Sequence, residues 1–204
     1  MLRYLVNVGR PREHDETTAA ALLAAAERTV QERGADALSV RGVADEVGTS
    51  TRAVYSLFGS KDGLIAALGA RMFDLLREGL GTISPTEDPG ADLVEAGLMF
   101  REVATAHPTL FAIGMQKTLP PSGSPEVRSA ASNAWDLLGQ TFHRLADAGR
   151  LGSRGVGDAM VEFDALCEGL AALELRGALA PADAERIWRD GLTALVNGFA
   201  GDGR

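Results

Sequence analysis

This 204-residue chain has a single cysteine, Cys167, and only three histidines. One thiol excludes an intrachain disulfide and most zinc arrangements, and it suits a reducing cytoplasm. No apolar run approaches the roughly 20 residues needed to cross a bilayer. The opening MLRYLVNVGR holds a short, interrupted apolar patch and no small-residue cleavage site, so neither a membrane span nor a signal peptide is expected. A glycine-rich phosphate loop, a metal-spaced histidine pair and a nucleophile elbow are also missing. Cys167 with His107 or His143 and a carboxylate supplies the letters of a nucleophilic triad. The cysteine falls on the apolar face of a helical pattern, however, where a free thiol is an inert core residue. His107, before Pro108, fits a helix end, and His143 an exposed helical position. Neither an enzyme, a cofactor nor a metal site is expected.

Strand-like alternation, internal repeats and low-complexity stretches are absent, which leaves an all-α reading. Hydrophobic residues make up 46% of the chain at a mean hydropathy of +0.01, enough for a core. The formal charge of −8 argues against a generally sticky nucleic-acid binder. Its distribution narrows that exclusion. Residues 1–65 carry eight Lys and Arg against nine Asp and Glu, so most of the excess acid lies behind them. From Val47 to Lys61 the only charged residues are Arg52 and Lys61, both cationic.

That stretch lies within SVRGVADEVGTSTRAVYSLFGSKDGL, residues 39–64. Val40, Val43, Ala44 and Val47 recur at helical spacing and share one face of a short helix. Gly48 supplies the break, because glycine enters a left-handed turn without steric cost. Ser50 caps a second helix whose inward side is Ala53, Val54, Leu57 and Phe58. Thr51, Arg52, Tyr55 and Ser56 then face outward, a row suited to phosphate oxygens and base edges. Gly59 and Ser60 end that helix, and Ser60 caps another beginning at Lys61.

Ala44 to Gly48 in an Ala-x-x-x-Gly turn, Tyr55-x-x-Phe58 and Ser60-Lys61-Asp62 together resemble the DNA-binding domain of the tetracycline-repressor (TetR) family of transcriptional regulators. The resemblance covers residues 17–68. It implies an all-helical homodimer, a three-helix DNA-binding domain and a divergent ligand-sensing domain behind it. FREVATAHPTLFAIGM and CEGLAALELRGAL resemble the ligand-binding domain of a TetR subgroup marked by a Trp-x-x-x-His-Gly motif. Here Asp164 and Glu168 stand at the Trp and His positions, and only Gly169 is retained, so ligand behaviour tied to that Trp and His is not carried over.

The expected organisation is an arm over residues 1–16, a helix-turn-helix domain over 17–65 and a helical ligand-binding and dimerisation domain over 66–204. Arg10 and Arg12 in the arm could reach DNA, or the arm could be a plain tail. Helices are predicted from Thr17 to Arg33, Lys61 to Glu78, Pro89 to Ala106, Thr109 to Met115, Ser124 to Ala148, Val156 to Leu179 and Pro181 to Phe199. Phe100, Phe111, Met115, Trp135, Phe142, Phe163 and Cys167 could line an effector pocket or belong to the core. Leu166, Leu170 and Leu173, and the stripe Trp188, Leu192, Leu195 and Phe199, suit either core packing or a four-helix dimer interface.

The expected function is a cytoplasmic, ligand-responsive repressor that binds a palindromic operator in double-stranded DNA as a homodimer. Arg41, Thr51, Arg52, Tyr55, Ser56 and Lys61 are its candidate DNA contacts. The effector is expected to be apolar or aromatic, with Lys117, Arg101 and Arg128 leaving room for an anionic head group at the rim. A helical small-molecule-binding protein without sequence-specific DNA binding is the alternative.

Overall fold

The computed structural model describes residues 12–115 and 124–201, and among these residues there are nine α-helices and no strand. The chain divides into two compact units, Met1–Leu68 and Gly69–Arg204.

The first unit is built on α1 (Arg12–Arg33), α2 (Val40–Val47), α3 (Thr51–Phe58) and the start of α4 (Lys61–Leu80). Helix α1 begins inside the segment read as an arm; residues 1–11, Arg10 among them, lie outside the described residues. Leu22, Ala25 and Ala26 of α1 are buried with Leu38, Val43, Ala44, Val54 and Leu64. Each short helix has its ends satisfied. The Ser39 hydroxyl accepts from the Gly42 amide at 3.0 Å, that of Ser50 from Ala53 at 3.2 Å and that of Ser60 from Gly63 at 2.9 Å. Gly48 ends α2 at φ 71°, and the amides of Gly48 and Thr49 return to the carbonyls of Asp45 and Ala44. This is a Schellman ending, which only a residue at ease in the left-handed region closes without strain.

The second unit holds α5 (Pro89–Ala106), α6 (Pro108–Met115), α7 (Pro125–Asp147), α8 (Val156–Leu175) and α9 (Pro181–Phe199), with the latter part of α4. Asp88 and Ser124 cap α5 and α7 just ahead of a proline at the first helical position, where no amide is lost. His107 ends α5 before Pro108. Helix α8 stops at Leu175, a turn short of the predicted Leu179. Gly177 adopts φ 74°, and the amides of Gly177 and Ala178 close on the carbonyls of Glu174 and Leu173.

Two aromatic clusters tie these helices. Phe100 meets Phe111 edge-on at 6.2 Å and Trp188 at 6.4 Å. Phe142 lies edge-on to Phe163 at 5.6 Å and to Phe199 at 6.1 Å. The buried Trp188 indole N–H donates to Glu174 at 2.8 Å, and Glu174 also receives three hydrogen bonds from Arg101, two from Nε at 3.1 and 2.9 Å and one from Nη2 at 2.7 Å. The Arg101 bonds outweigh desolvation and, with the Trp188 bond, hold the Glu174 carboxyl below its usual range. Asp92, unlike the half-buried Glu174, is fully buried. Burial alone would raise its pKa, but bonds from the Thr86 hydroxyl and amide and from Arg144 hold it low.

These contacts correct the expected dimer stripe. Trp188, Leu192 and Phe199 are completely buried within the unit, and Leu170 is nearly so. Their surface is consumed by α5, α7 and α8, so it is not available to a partner. Leu166, Leu173 and Leu195 are half-buried at the edge of the same faces.

Candidate DNA interface and effector cavity

Helix α3 buries Val54 and turns Thr51, Arg52, Tyr55 and Ser56 outward. Tyr55 is 54% exposed, although a phenol buries well where it can, so the surface offers a hydrogen-bonding aromatic ring. Lys61 is half-buried at the first turn of α4, beside the helix start capped by Ser60. Arg41 on α2 is exposed, and its Asp45 partner lies 3.7 Å away, a loose pair between solvated groups. Glu46, the other acid of α2, is engaged by Arg28 at 2.7 Å. The outward row on α3 therefore carries hydroxyls, a phenol and one guanidinium, with no carboxylate in the helix. Such groups position a helix on phosphates and read base edges.

The second unit contains a cavity of about 280 Å³ lined by residues of α4 to α8. Of the residues predicted for a pocket, Phe100, Met115, Trp135, Phe163 and Cys167 line it. Phe111 and Phe142 are corrected: they are buried in the two aromatic clusters and are not part of the lining. Arg128 lines the cavity, Arg101 is held by Glu174 instead, and Lys117 lies outside the described residues. Sequence reasoning missed Phe73, Leu76 and Leu80 of α4, Met99 of α5 and Leu138 of α7. A second apolar row along α4 was the available signal for the first three. It also passed over Asp164 and Glu168 as cavity residues, although it had located them as departures from a motif.

Burial of the half-buried Asp164 pushes its carboxyl from an ordinary 3.8 up to about 6, and the like charge of Glu168 one turn away adds to the shift. Cys167, between them, is fully buried, and burial followed by these two carboxylates pushes its thiol well above the ordinary range. That is the reverse of an activated nucleophile. Asp164 binds its proton more tightly folded than unfolded, so its contribution to stability grows as pH falls from about 6 toward 3.8 and is a net cost at neutral pH. Besides Glu168 and Cys167 on its own helix, the ionisable group among the described lining residues is Arg128 from α7. Asp164→Asn is expected to stabilise the protein at pH 7.5 by about 1–2 kcal/mol, or about 2–8 °C in Tm, after discounting for partial solvation. The advantage over wild type should disappear near pH 4. Paired thermal melts across that range check it.

A capped helix-turn-helix with an exposed polar second helix, in a chain that continues into a helical unit with an apolar-walled cavity, defines a DNA-binding regulator. Comparisons agree. Residues 22–68 match the profile of bacterial regulatory proteins of the tetR family, and residues 93–195 that of the tetracyclin repressor-like C-terminal domain. The chain belongs to the TetR family of DNA-binding transcriptional regulators. No curated protein matches it in sequence. Among solved structures, a protein of unknown function from Rhodococcus sp. RHA1 is 23% identical over 98% of this chain and 100% of its own, with TM-score 0.76. The TetR family transcriptional regulator PfmR from Thermus thermophilus is 20% identical over 90% and 99%, with TM-score 0.65. RolR, solved with its ligand resorcinol, is 13% identical over 94% and 97%, with TM-score 0.62. At these identities the likeness is one of fold. Among the described residues no helix is long and apolar enough to cross a membrane, and no three or more His, Cys, Asp or Glu side chains cluster so as to hold a metal ion.

Proposed function

We propose that this protein is a ligand-responsive repressor that binds a palindromic operator as a homodimer in the cytoplasm. The observation that carries the reading is the outward row Thr51, Arg52, Tyr55 and Ser56 on a helix capped at both ends and free of carboxylates. Two copies of α3 in a dimer enter successive major grooves about 34–36 Å apart, the spacing of one DNA turn. Arg52 and Thr51 reach base edges, with Ser56 beside them. Tyr55, Lys61 and Arg41 hold phosphates, and the first amides of α4 add a favourable dipole.

The exposed flank of α8 and α9 serves as the dimer interface. Leu166, Leu173 and Leu195 lie there with exposed Ala165, Ala172 and Ala194. A ligand in the cavity touches Phe73, Leu76 and Leu80 of α4, the helix that begins at Lys61. Ligand binding then shifts the dimer between spacings to the extent that affinity differs between them. The resorcinol bound by RolR, a protein of the same fold, supports a small-molecule effector.

Selection of bound fragments from random DNA is expected to return an inverted repeat. Against an operator library, Arg52→Ala should relax preference at one position per half-site, at about 1–3 kcal/mol per contact. Lys61→Ala should weaken all sequences alike and flatten the logarithmic salt dependence by about 0.9 for each phosphate no longer neutralised. Tyr55→Phe should also act on all sequences. If Arg52→Ala changes neither affinity nor base preference, α3 is not the reading helix. A protein that selects no DNA at all but binds small molecules is a helical binding protein instead.

A further inference from the structure

The cavity of the second unit combines two properties that rarely occur together. Its walls are aromatic and aliphatic, with Phe73 from α4, Met99 and Phe100 from α5 and Trp135 from α7. Yet α8 brings two carboxylates, Asp164 and Glu168, into the same lining, one helical turn apart. Helices α4, α5 and α6 contribute no ionisable group to it, and α7 contributes the single guanidinium of Arg128. Ionised, the described residues of the lining hold two negative charges against one positive. Among the described residues Asp164 makes neither a hydrogen bond nor an ion pair.

We propose that the effector is an apolar organic cation, an amine or quaternary ammonium on an aromatic or aliphatic body, whose charge meets the Asp164–Glu168 pair. The inference rests on reading this cavity as the effector site, and it is independent of how DNA is recognised.

Three comparisons of ligand chemistry support it. A neutral apolar ligand would displace water from Asp164 and leave the charge facing hydrocarbon, which is costly. An anion would add a third negative charge to the same lining. A cation supplies a counter-charge to Asp164 in a low-dielectric wall, where Coulomb attraction is stronger than in water. Trp135, Phe100 and Phe73 line the same cavity and supply dispersion for the apolar body, with cation–π attraction for a charge that comes over a ring. This differs from the anionic head group for which the sequence left room: Arg101 is held by Glu174, Lys117 lies outside the described residues, and among the described lining residues two carboxylates stand with one guanidinium, Arg128. At about 280 Å³ the cavity lies near the lower end of the usual range of about 300–1,000 Å³, so the cation is a small one.

The test uses the full chain and phenylalkyl amines from benzylamine to phenylhexylamine, each with its matched alcohol and carboxylate. Calorimetry gives affinity, and quenching of the cavity-lining Trp135 reports the site. The best amine is expected to bind at least tenfold more tightly than its alcohol, with the carboxylate weakest. Asp164→Asn and Glu168→Gln, each confirmed folded by a thermal melt, should reduce the amine-over-alcohol ratio to less than threefold in the double variant. Equal or better binding of the alcohol or carboxylate overturns the proposal. So does a preference for amines that survives in the double variant, or failure of every amine to bind at millimolar concentration. Fluorescence anisotropy on the selected operator separates the two readings. Release of DNA by the best amine supports the cation as effector, and selective binding without release overturns that role. Failure to bind any DNA overturns the proposed function, while the calorimetry still decides the chemistry of the cavity.

Discussion

Leu192→Glu is expected to unfold the second unit, whereas Leu195→Glu is expected to leave it folded and split the proposed dimer. The two residues lie three positions apart on α9 and are equivalent by hydropathy alone. Leu192 has no exposed surface, and its side chain packs where a Cβ at Gly97 of α5 would come within 2.5 Å. A carboxylate there has neither water nor a partner, and even its protonated form forfeits the leucine's packing. The expected loss is at least about 4 kcal/mol, comparable with the whole stability of many domains. Leu195 is half-exposed, so glutamate at that position is solvated in a monomer and becomes costly only when a second copy covers it. Light scattering with circular dichroism distinguishes the cases. Leu192→Glu should lose helical signal or melt far below wild type at every concentration. Leu195→Glu should keep its helical signal, run as a monomer and melt without the concentration dependence of a dimer. A dimeric Leu195→Glu protein would place the interface on another surface.

The contrast between these residues marks where the chain is legible from sequence. In the helix-turn-helix every deciding interaction is local. Gly48, Ser50, Gly59 and Ser60 satisfy their own neighbours' backbone groups, so the residues themselves specify the turn and the outward row of α3. The stripe on α9 specifies a face but not what covers it, because an amphipathic helix can turn the same face to a core or to a second subunit. Packing of Leu192 against Gly97 of α5 and the bond of Trp188 to Glu174 of α8 decide for the core, and both partners belong to other helices. Phe111 and Phe142 illustrate the same limit: helical spacing places an aromatic ring inward, but only the third helix around it decides between a wall and a filled core. Asp164 and Glu168 carried a readable signal, two carboxylates among apolar residues of α8, and it gains meaning only with a cavity in front of them. The end of α8 depended on Gly177, which the apolar pattern running to Leu179 obscured.

Gly63→Ala is expected to abolish specific DNA binding, although Gly63 itself offers no side chain to DNA. A Cβ built there lies 1.8 Å from the carbonyl oxygen of Phe58 and 3.0 Å from its carbonyl carbon. Both are backbone atoms at the last turn of α3, which cannot move aside as a flexible side chain can. The close approach exists because α3 ends at Phe58 and α4 starts at Lys61, after only Gly59 and Ser60, with Ser60 accepting from the Gly63 amide. Glycine in the first turn of a helix is otherwise a poor choice, costing up to about 1 kcal/mol against alanine, and that anomaly is the signal sequence reading could have used. Alanine must push α4 away from α3 or break the Ser60 cap, and either change shifts α3 relative to Lys61. The expected stability loss is about 2–4 kcal/mol, beyond the roughly 1–2 kcal/mol of a left-handed alanine at Gly48, where nothing lies within 4 Å of the new Cβ. Operator affinity should fall at least about 100-fold, because recognition requires Arg52 and the phosphate contacts in one register. Thermal melts of both variants test the ordering, and anisotropy titrations on the selected operator test the function. A Gly63→Ala protein with wild-type affinity would show that the junction between α3 and α4 is looser than its geometry implies.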